Sequence, residues 1–262
     1  MGLTLDSLGL RSDLVAAGGA TVLEDRGDHA ILRTPEEPDY WSGNAVVVKA
    51  GGPAPAEALT IFEAAFPDAT HRTLFWDLPS PEPEALRAEL GEGFEVTQTD
   101  VLAHAVAVPP ASLPEGVAIR QIEGGDWDRT LALQLAIAGE EGYDIGPHEA
   151  FLRTRNAGRR RLIEAGRAAW FGAFDGEDLA GQLGIVTSDG IARFQAVETA
   201  KSHRRRGIAS ALIDHARRWA LARDPKAEVV IVADSGGAPA RLYHARGFRL
   251  RERLVEAMRA GY

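Results

Sequence analysis

Apolar and polar positions alternate along the chain in short blocks whose period changes repeatedly between that of a helix and that of a strand. Apolar residues at helical spacing predict helices, and β-branched runs bounded by Gly or Pro predict strands. In the first half we expect helices over residues 8–19, 56–66 and 81–90, strands over 20–23, 28–34, 43–49 and 71–78, and a strand pair over 94–108. The first half is therefore a mixture of short helices and strands.

The second half continues in the same way, with longer elements. We expect strands over residues 117–122, 168–174, 179–187, 191–199 and 228–233, helices over 127–138, 148–165, 209–222 and 238–245, a loop over 139–147, and a final strand pair over 248–258. The tight turns Asp175-Gly176 and Ser188-Asp189-Gly190 favour antiparallel hairpins between the three central strands. The predicted fold class is α/β, a mixed sheet with helices on both faces.

A proline-rich run, residues 109–114, is the one convincing linker in the chain. It predicts a first domain over residues 1–110 and a second over 115–262. The two domains repeat each other weakly. A helix, a buried strand, a second helix and a Gly-Phe pair follow in the same order, ending at Gly93-Phe94 in one and at Gly247-Phe248 in the other. This order indicates an internal duplication.

Composition narrows the classes of function. The net charge of -9 argues against nucleic acid as the main partner, and the absence of cysteine excludes disulfides, thiolate metal sites and a cysteine nucleophile. No apolar run is long enough to span a bilayer, and the first residues lack the regions of an export signal. We expect a cytoplasmic protein, monomeric or homodimeric, that binds neither membrane nor nucleic acid. The histidines and carboxylates show no metal-binding spacing, so no metal is expected.

One stretch, residues 194–213, has the sequence of an anion-binding cradle. It reads as a strand, a basic turn with three consecutive arginines and Gly207, and then a helix rich in good helix formers. Amides at a helix start lack intrahelical partners, and the helix dipole adds partial positive charge there. The stretch predicts a site for a phosphorylated ligand, with the backbone amides more important than the arginine side chains. A solvated basic helix start is the alternative.

Three patterns in the second half resemble the GNAT superfamily of acyl-CoA-dependent N-acetyltransferases. The run from Arg204 to Ala209 is similar to its phosphate-loop pattern, and Val197-Glu198-Thr199 stands at the end of the preceding strand, where the family pairs amides with pantetheine. The run from Leu242 to Phe248 resembles its Leu-Tyr, three residues, Gly-Phe signature. The resemblance covers about residues 115–258 and implies two tandem GNAT-like domains, the first of them degenerate.

The resemblance also implies a reaction and its residues. Acetyl-CoA would be the co-substrate, and the acetyl group would pass directly to a primary amine, on a small molecule or a peptide, in a ternary complex. The implied cofactor-binding residues are Val197, Thr199, Arg204, Arg205, Arg206, Gly207, Ile208 and Ala209. Tyr243 would be the general acid for the departing thiolate, unless it is simply an amphipathic residue packed with its hydroxyl wet.

The base is harder to assign. Glu198 would accept a proton through water from the incoming ammonium, and its alternative is an exposed strand carboxylate. A regular strand would turn its side chain away from those of Val197 and Thr199. The acidic stretch of the predicted 139–147 loop would suit a cationic amine, although a solvated loop fits it as well; it contains Glu140, Glu141, Tyr143 and Asp144.

Two departures from the family pattern limit the transfer of roles. Ser235-Gly236-Gly237 stands where the family often has an asparagine that contacts the cofactor, and Arg193 stands where some members carry a carboxylate base. In the first half, residues 49–55 contain no arginine, and Glu89 stands at the position of Tyr243. Two alternatives to the enzyme remain, a non-catalytic acyl-CoA-binding sensor and a protein that binds another phosphorylated ligand such as a nucleotide.

Overall fold

The computed structural model describes residues 5–260 and divides the chain into two compact units. The first unit takes the chain up to Ala103, Val232–Arg241 and the segment from Arg249 onwards. The second unit takes His104–Ile231 and Leu242–Phe248. Each unit contains both helices and paired strands.

The elements follow one another in similar order in the two halves of the sequence. The first half contains α1 (Leu8–Ala17), β1 (Val22–Asp25), β2 (His29–Arg33), β3 (Ala45–Val48), α2 (Pro55–Ala65), β4 (His71–Trp76), α3 (Pro83–Leu90) and β5 (Glu95–His104). The second half contains β6 (Val117–Gln121), α4 (Asp126–Glu141), α5 (Ile145–Glu164), β7 (Ala168–Asp175), β8 (Asp178–Ser188), β9 (Ile191–Thr199), α6 (Ile208–Arg223), β10 (Glu228–Asp234), α7 (Ala238–Ala245) and β11 (Phe248–Ala260). Three meandering strands, a helix, a strand, a helix and a long strand thus occur twice. The predicted α/β class is confirmed.

In the first unit, β1, β2 and β3 form an antiparallel meander, β3 is parallel to β4, and β11 is antiparallel to β4. Helices α2 and α3 cover a core of buried aliphatic and aromatic side chains, among them Phe62, Leu74, Leu86 and Val255. Burial of each such side chain contributes about 1.5–3 kcal/mol. Helix α1 begins at Ser7, whose hydroxyl accepts a hydrogen bond from the Leu10 amide.

In the second unit, β6, β7, β8 and β9 form an antiparallel meander, and β9 is parallel to β10. Strands β7 and β8 are almost wholly buried, because α6 packs on them and on β9, while α5 packs on β7 and α4 on β8. The turns at residues 176 and 190 have glycine at positive φ, as antiparallel hairpins with tight turns require. This meander and α6 hold the site described below.

Three predicted elements differ from the structure. Residues 94–108 and 248–258 were each expected to form a strand pair, but each contains one long strand, β5 and β11. Strand β11 stays extended because it pairs with β4 from Val255 to Ala260. The predicted loop 139–147 is mostly helix, since α4 continues to Glu141 and Asp144 begins α5 by accepting a hydrogen bond from the Gly146 amide.

The boundary between the two compact units does not coincide with the proline-rich linker. Residues from Arg249 onwards follow the second half in sequence but group with the first unit, and residues 109–114 lie within the second unit. The pairing of β11 with β4 accounts for the first of these differences. The domain limits 1–110 and 115–262 therefore remain a prediction about the division of the sequence.

Candidate active site

Strand β9 pairs with β10 over only part of its length. The parallel register joins Ile191, Ala192 and Arg193 of β9 to Glu228, Val229 and Val230 of β10, and β9 then continues to Thr199. On its other edge, β9 stays paired with β8 as far as Thr199. The last six residues of β9 therefore have one edge on which no pair with β10 is formed.

A β-bulge lies where β9 leaves β10. Ala196 has φ of 48°, and the register with β8 shifts between Gln182, which faces Glu198, and Gly184, which faces Gln195. One extra residue on one strand bends it and breaks the regular alternation of side chains. As a result, Gln195 and Glu198 share a face of the sheet although they are three positions apart, an odd spacing that would place them on opposite faces of a regular strand.

The direction of the backbone amides after the bulge follows from one hydrogen bond. The Ala200 amide donates to the Ala180 carbonyl of β8 at 2.9 Å. Since successive amides of a strand point to opposite edges, the amides of Val197 and Thr199 point away from β8. They face the edge of β9 that is not paired with β10. An extended polar ligand can form hydrogen bonds with them there, as an added strand would.

Helix α6 begins at the end of this edge. Gly207 precedes it with φ of 86° and ψ of 0°, and no side chain caps the helix. The first helical bond is donated by the Ala211 amide to the Gly207 carbonyl at 3.1 Å. The amides of Ile208 and Ala209 consequently lack helical acceptors, and they point out of the positive end of a 16-residue helix. An anion is the ligand that such an end binds best.

The three arginines of the loop have different surroundings. Arg204 pairs with Glu140 at 2.8 Å and donates from Nε to the Thr199 carbonyl at 3.2 Å. Arg206 lies 3.4 Å from Asp175. Arg205 has φ of 66° and is exposed. Two of the three side chains thus contact carboxylates of their own unit. The backbone amides at the start of α6 have no helical acceptor and are free of such competition.

Tyr243, on α7, is buried, with 6% of its surface exposed. Its ring packs edge-on against Phe248 with the centroids 6.3 Å apart. Burial raises the pKa of Tyr243 to about 12, although the positive charge of Arg193 acts in the opposite direction. The phenol is therefore neutral and remains a hydrogen-bond donor at physiological pH.

The glycine of the Leu-Tyr, three residues, Gly-Phe signature has a structural role. Gly247 has φ of 86°, and a Cβ built on it would lie 2.0 Å from the Val106 carbonyl oxygen. The amides of Ala105 and Val106 both donate to the Gly247 carbonyl at 3.0 Å. This close backbone contact excludes any side chain at residue 247, and it holds the turn between Tyr243 and Phe248 in place.

A buried ion pair fixes the same turn to α6. Arg246 donates to Asp214 at 3.0 Å, and the Ala111 amide donates to the same carboxylate oxygen at 2.7 Å. Arg246 also donates to the Pro109 carbonyl at 3.3 Å. The proline-rich linker, α6 and the end of α7 are therefore joined by one polar cluster.

Glu198 lies on the face of the sheet that carries α4 and α5. Its Oε2 accepts a hydrogen bond from Gln182 Nε2 at 2.6 Å. Burial raises the pKa of Glu198, an effect to which Glu141 adds, whereas the bond from Gln182 and the charge of Arg159 lower it. A carboxylate with a raised pKa can accept a proton near neutral pH more readily than an exposed one.

The acidic residues between the first two helices of this unit do not form one charged loop. Glu140 pairs with Arg204, and Glu141 acts electrostatically on Glu198. Asp144 caps α5, and the exposed ring of Tyr143 stacks on His148 with a centroid distance of 4.5 Å. Only Glu141 of this set influences the residue predicted as the base.

A cleft of about 480 Å³ lies between α4 and the segment that follows β9. Leu133, Ile137 and Glu140 of α4 line one side, and Ala200 and Ser202 line the other. It begins where the open edge of β9 ends, so an elongated ligand on that edge can extend into it.

Neither a metal-binding cluster nor a membrane-spanning helix occurs among residues 5–260. Within residues 5–260, no three side chains of His, Asp or Glu come together in a way that could hold a metal ion. In the same part of the chain, no helix has both the length and the apolar character needed to cross a membrane.

Sequence reasoning missed two features of this site. The bulge at Ala196 carries no signal, because alanine rarely adopts positive φ and nothing in the residue type predicts it. Gln182 could have been found, since it is the one amide side chain in the apolar strand predicted over residues 179–187. A polar residue inside an apolar strand needs a partner, and here that partner is Glu198.

Comparison with known proteins agrees with this geometry. Residues 133–248 match the model of the acetyltransferase (GNAT) family. A search of curated proteins found no significant match to the chain.

Three solved structures cover most of the chain at low identity. A protein of unknown function from Staphylococcus epidermidis ATCC 12228 is 15% identical, with 92% of this chain and 94% of that one covered and a TM-score of 0.70. A GCN5-related N-acetyltransferase from Kribbella flavida is 19% identical, with 98% of both chains covered and a TM-score of 0.62. A tandem GNAT protein from the clavulanic acid biosynthesis pathway is 17% identical, with 95% and 87% covered and a TM-score of 0.55. At these identities the likeness is one of fold.

Proposed function

We propose that this chain, whose residues 133–248 match the model of the GNAT acetyltransferase family, transfers an acetyl group from acetyl-CoA to a primary amine. The observation that carries the proposal is the open edge of β9, which leads straight to the uncapped start of α6. The amides of Val197 and Thr199 suit the amide-rich pantetheine arm, and the amides of Ile208 and Ala209 suit the pyrophosphate. One continuous backbone surface then fits both parts of coenzyme A.

In the proposed reaction, acetyl-CoA supplies the thioester, a nitrogen–carbon bond forms and the carbon–sulfur bond breaks. The residues of the chain bind, orient and move protons. The backbone amides at Val197 and Thr199 fix the arm beside the acceptor, which contributes through proximity and orientation. Glu198 takes a proton from the ammonium form of the acceptor, directly or through water, and leaves the neutral amine free to attack.

Tyr243 serves the departing sulfur. Its pKa of about 12 lies about 3.5 units above the value of about 8.5 for an ordinary thiol, so full ionisation of the phenol would cost about 5 kcal/mol. Donation of a hydrogen bond to the sulfur as charge develops on it avoids that cost. If the phenol does pass its proton to the thiolate, water must supply a proton to the phenolic oxygen in the same step.

The first unit is proposed to hold no second coenzyme A. Its loop between β3 and α2 has no arginine, and α2 begins with Pro55 at a position where an amide would be needed. One coenzyme A per chain is the expected stoichiometry.

The test combines binding with turnover. Calorimetry with coenzyme A and with ATP should give binding of one equivalent of coenzyme A and far weaker binding of ATP. A thiol reagent then follows coenzyme A release with a panel of amines, and it has no background because the chain contains no cysteine. Absence of coenzyme A binding would overturn the proposal. Binding without release from any amine would favour the alternative function, a non-catalytic acyl-CoA sensor.

A further inference from the structure

Gln182 leaves one polar atom without a partner in the interior of the second unit. The residue is fully buried on β8, and its Nε2 donates to Glu198. An ionised carboxylate can only accept hydrogen bonds, which assigns the amide nitrogen to the bond with Glu198 and leaves the amide oxygen for another donor. Among residues 5–260, no donor reaches Gln182 Oε1.

A second buried polar atom lies on the same face of the sheet. Trp170 is fully buried on β7 in register with Gly184, and its Nε1 likewise finds no acceptor within residues 5–260. A Cβ built on Gly184 would lie 2.3 Å from Trp170 ring atoms, so the indole occupies the space above that glycine. Gln182 is two residues from Gly184 on the same strand, which places the indole about 7 Å from it along the strand.

The charges around these two atoms are of opposite kinds. Glu198 adjoins Gln182, whereas the guanidinium of Arg159, on α5, lies 4.9 Å from the Trp170 ring centroid. The Gln182 end therefore offers a carboxylate and a carbonyl oxygen, which are acceptors. The Trp170 end offers an N–H donor beside a positive charge. Buried polar groups are normally satisfied, so an unpaired acceptor and an unpaired donor at this spacing indicate a ligand with the complementary groups.

We propose that Gln182 and Glu198 together bind the ammonium group of the acceptor, and that the indole N–H of Trp170 binds an oxygen atom of the same molecule. The acceptor is then a compact primary amine with a neighbouring hydroxyl, carbonyl or carboxylate oxygen. An ammonium group has three donors, enough for the carboxylate of Glu198 and the carbonyl of Gln182 at once. This inference rests on the proposed function, since it concerns the acceptor half of the same site.

The first experiment observes Glu198 directly and does not depend on turnover. Protein labelled with carbon-13 at the glutamate carboxyl is titrated with methylammonium, and the Glu198 signal is identified by its loss in Glu198→Gln. We expect a saturable shift of that signal, and none with methanol, the neutral analogue. Gln182→Met should weaken the methylammonium response at least tenfold, whereas the control Gln121→Met, on β6, should leave it unchanged.

The same spectra separate a binding role from a packing role. Gln182 stabilises the ionised form of Glu198, so Gln182→Met should move the titration of the Glu198 signal to higher pH. The other groups that face Glu198, Arg159 from α5 and Glu141 from α4, are unchanged in that variant. A merely structural role for Gln182 would leave both the titration and the methylammonium response as in the unmodified protein.

The second experiment concerns the oxygen atom. We expect 2-aminoethanol to shift the Glu198 signal at concentrations at least threefold lower than propylamine does, and Trp170→Phe should abolish that preference. Equal responses to the two amines in the unmodified protein would overturn the role of Trp170. A response to neither, or an unchanged response in Gln182→Met, would overturn the ammonium site. If amines bind here but coenzyme A does not bind at all, the proposed function fails while this site stands.

Discussion

The parallel pairs β3–β4 and β9–β10 occupy equivalent places in the two halves of the sequence. The first stays paired to the end of β3, whereas the second does not stay paired to the end of β9. Strand β3 is paired with β4 through Val48, its last residue, and the Asp77 amide extends the pairing by donating to the Val48 carbonyl at 2.8 Å. Strand β9 pairs with β10 for three residues, bulges at Ala196 and continues for six more. The edge proposed to bind the ligand thus arises because β9 is longer than the segment paired with β10.

The loop between β3 and α2 also has fewer groups that could bind an anion than the loop between β9 and α6. Before α2, Lys49 is the only cation, and it pairs with Asp25 at 2.6 Å. Pro55 occupies the first turn of α2, where it has no amide to offer a phosphate. Before α6, Gly207 leaves the first-turn amides accessible. The groups proposed to bind an anion before α6 are thus fewer before α2, which supports the proposed degenerate state of the first half.

The last helices complete the comparison. Glu89, on α3, is exposed, whereas Tyr243, at the equivalent place on α7, is buried. Both helices lead to a glycine of positive φ, Gly93 with 90° and Gly247 with 86°, followed by phenylalanine. The shared backbone turn indicates common descent, and the difference at one side chain separates a neutral buried donor from a solvated carboxylate.

The largest expected effect comes from removing that donor. Tyr243→Phe should lower turnover by about a hundredfold to ten-thousandfold, the usual contribution of a proton donor, and coenzyme A affinity should barely change. Glu89→Gln, the matched change in the first unit, should alter neither. Steady-state release of coenzyme A and calorimetry measure the two quantities. Unchanged turnover in Tyr243→Phe would remove the residue from the mechanism.

A smaller effect is expected from the two loop glycines. Gly207→Val and Gly51→Val both place a β-branched residue at positive φ, 86° and 70°, and each should destabilise the protein by about 1–2 kcal/mol. Only Gly207→Val should also weaken coenzyme A binding, by about a hundredfold, because α6 has an amide on its first residue and α2 begins with Pro55, which has none.

Denaturation midpoints and calorimetry distinguish these outcomes. Equal loss of coenzyme A affinity in the two variants would mean that the loss reflects stability and not the cradle. Unchanged affinity in Gly207→Val would contradict the assignment of the phosphate loop.

How much of this could be predicted from the sequence depends on the range of the interactions involved. Turn glycines, helix periodicity and the anion cradle are local, so the predicted helix over residues 209–222 nearly coincides with α6. The pairing of β11 with β4 joins residues far apart in sequence, and no local pattern shows it. Each expected strand pair fails for this reason, since a long strand looks like two short ones when its partner is unknown.

The candidate site likewise combines features that the sequence displays with features that only the structure shows. Arg204 to Ala209 and Tyr243 stand in patterns that the sequence displays, although the structure shows arginine side chains bound to carboxylates, which the pattern alone does not. The open edge depends on a bulge, and the setting of Glu198 depends on Gln182, a residue on another strand. Both features depend on contacts between strands, which no local sequence pattern displays.

The smallest expected effect is one on stability, and it compares two partly buried carboxylates, one in each unit. Glu198 accepts a hydrogen bond from Gln182, and Glu256, on β11, accepts one from Thr97 at 2.9 Å. Burial is the main cause that raises the pKa of each above its ordinary value. A raised pKa in the folded state means that the stability from each group is fully present below the unfolded pKa, about 4.3, and is lost as pH rises through the folded pKa.

Glu256→Gln and Glu198→Gln should therefore each be more stable than the unmodified protein at pH 8 by a larger margin than at pH 5, as measured by urea unfolding across that range. The exposed Glu84→Gln should show no such trend. Turnover separates the two glutamates, because Glu256→Gln should keep it and Glu198→Gln should lose it. If both variants gained stability and kept turnover, Glu198 would be as structural as Glu256, and the open strand edge would have to work without a base on that strand.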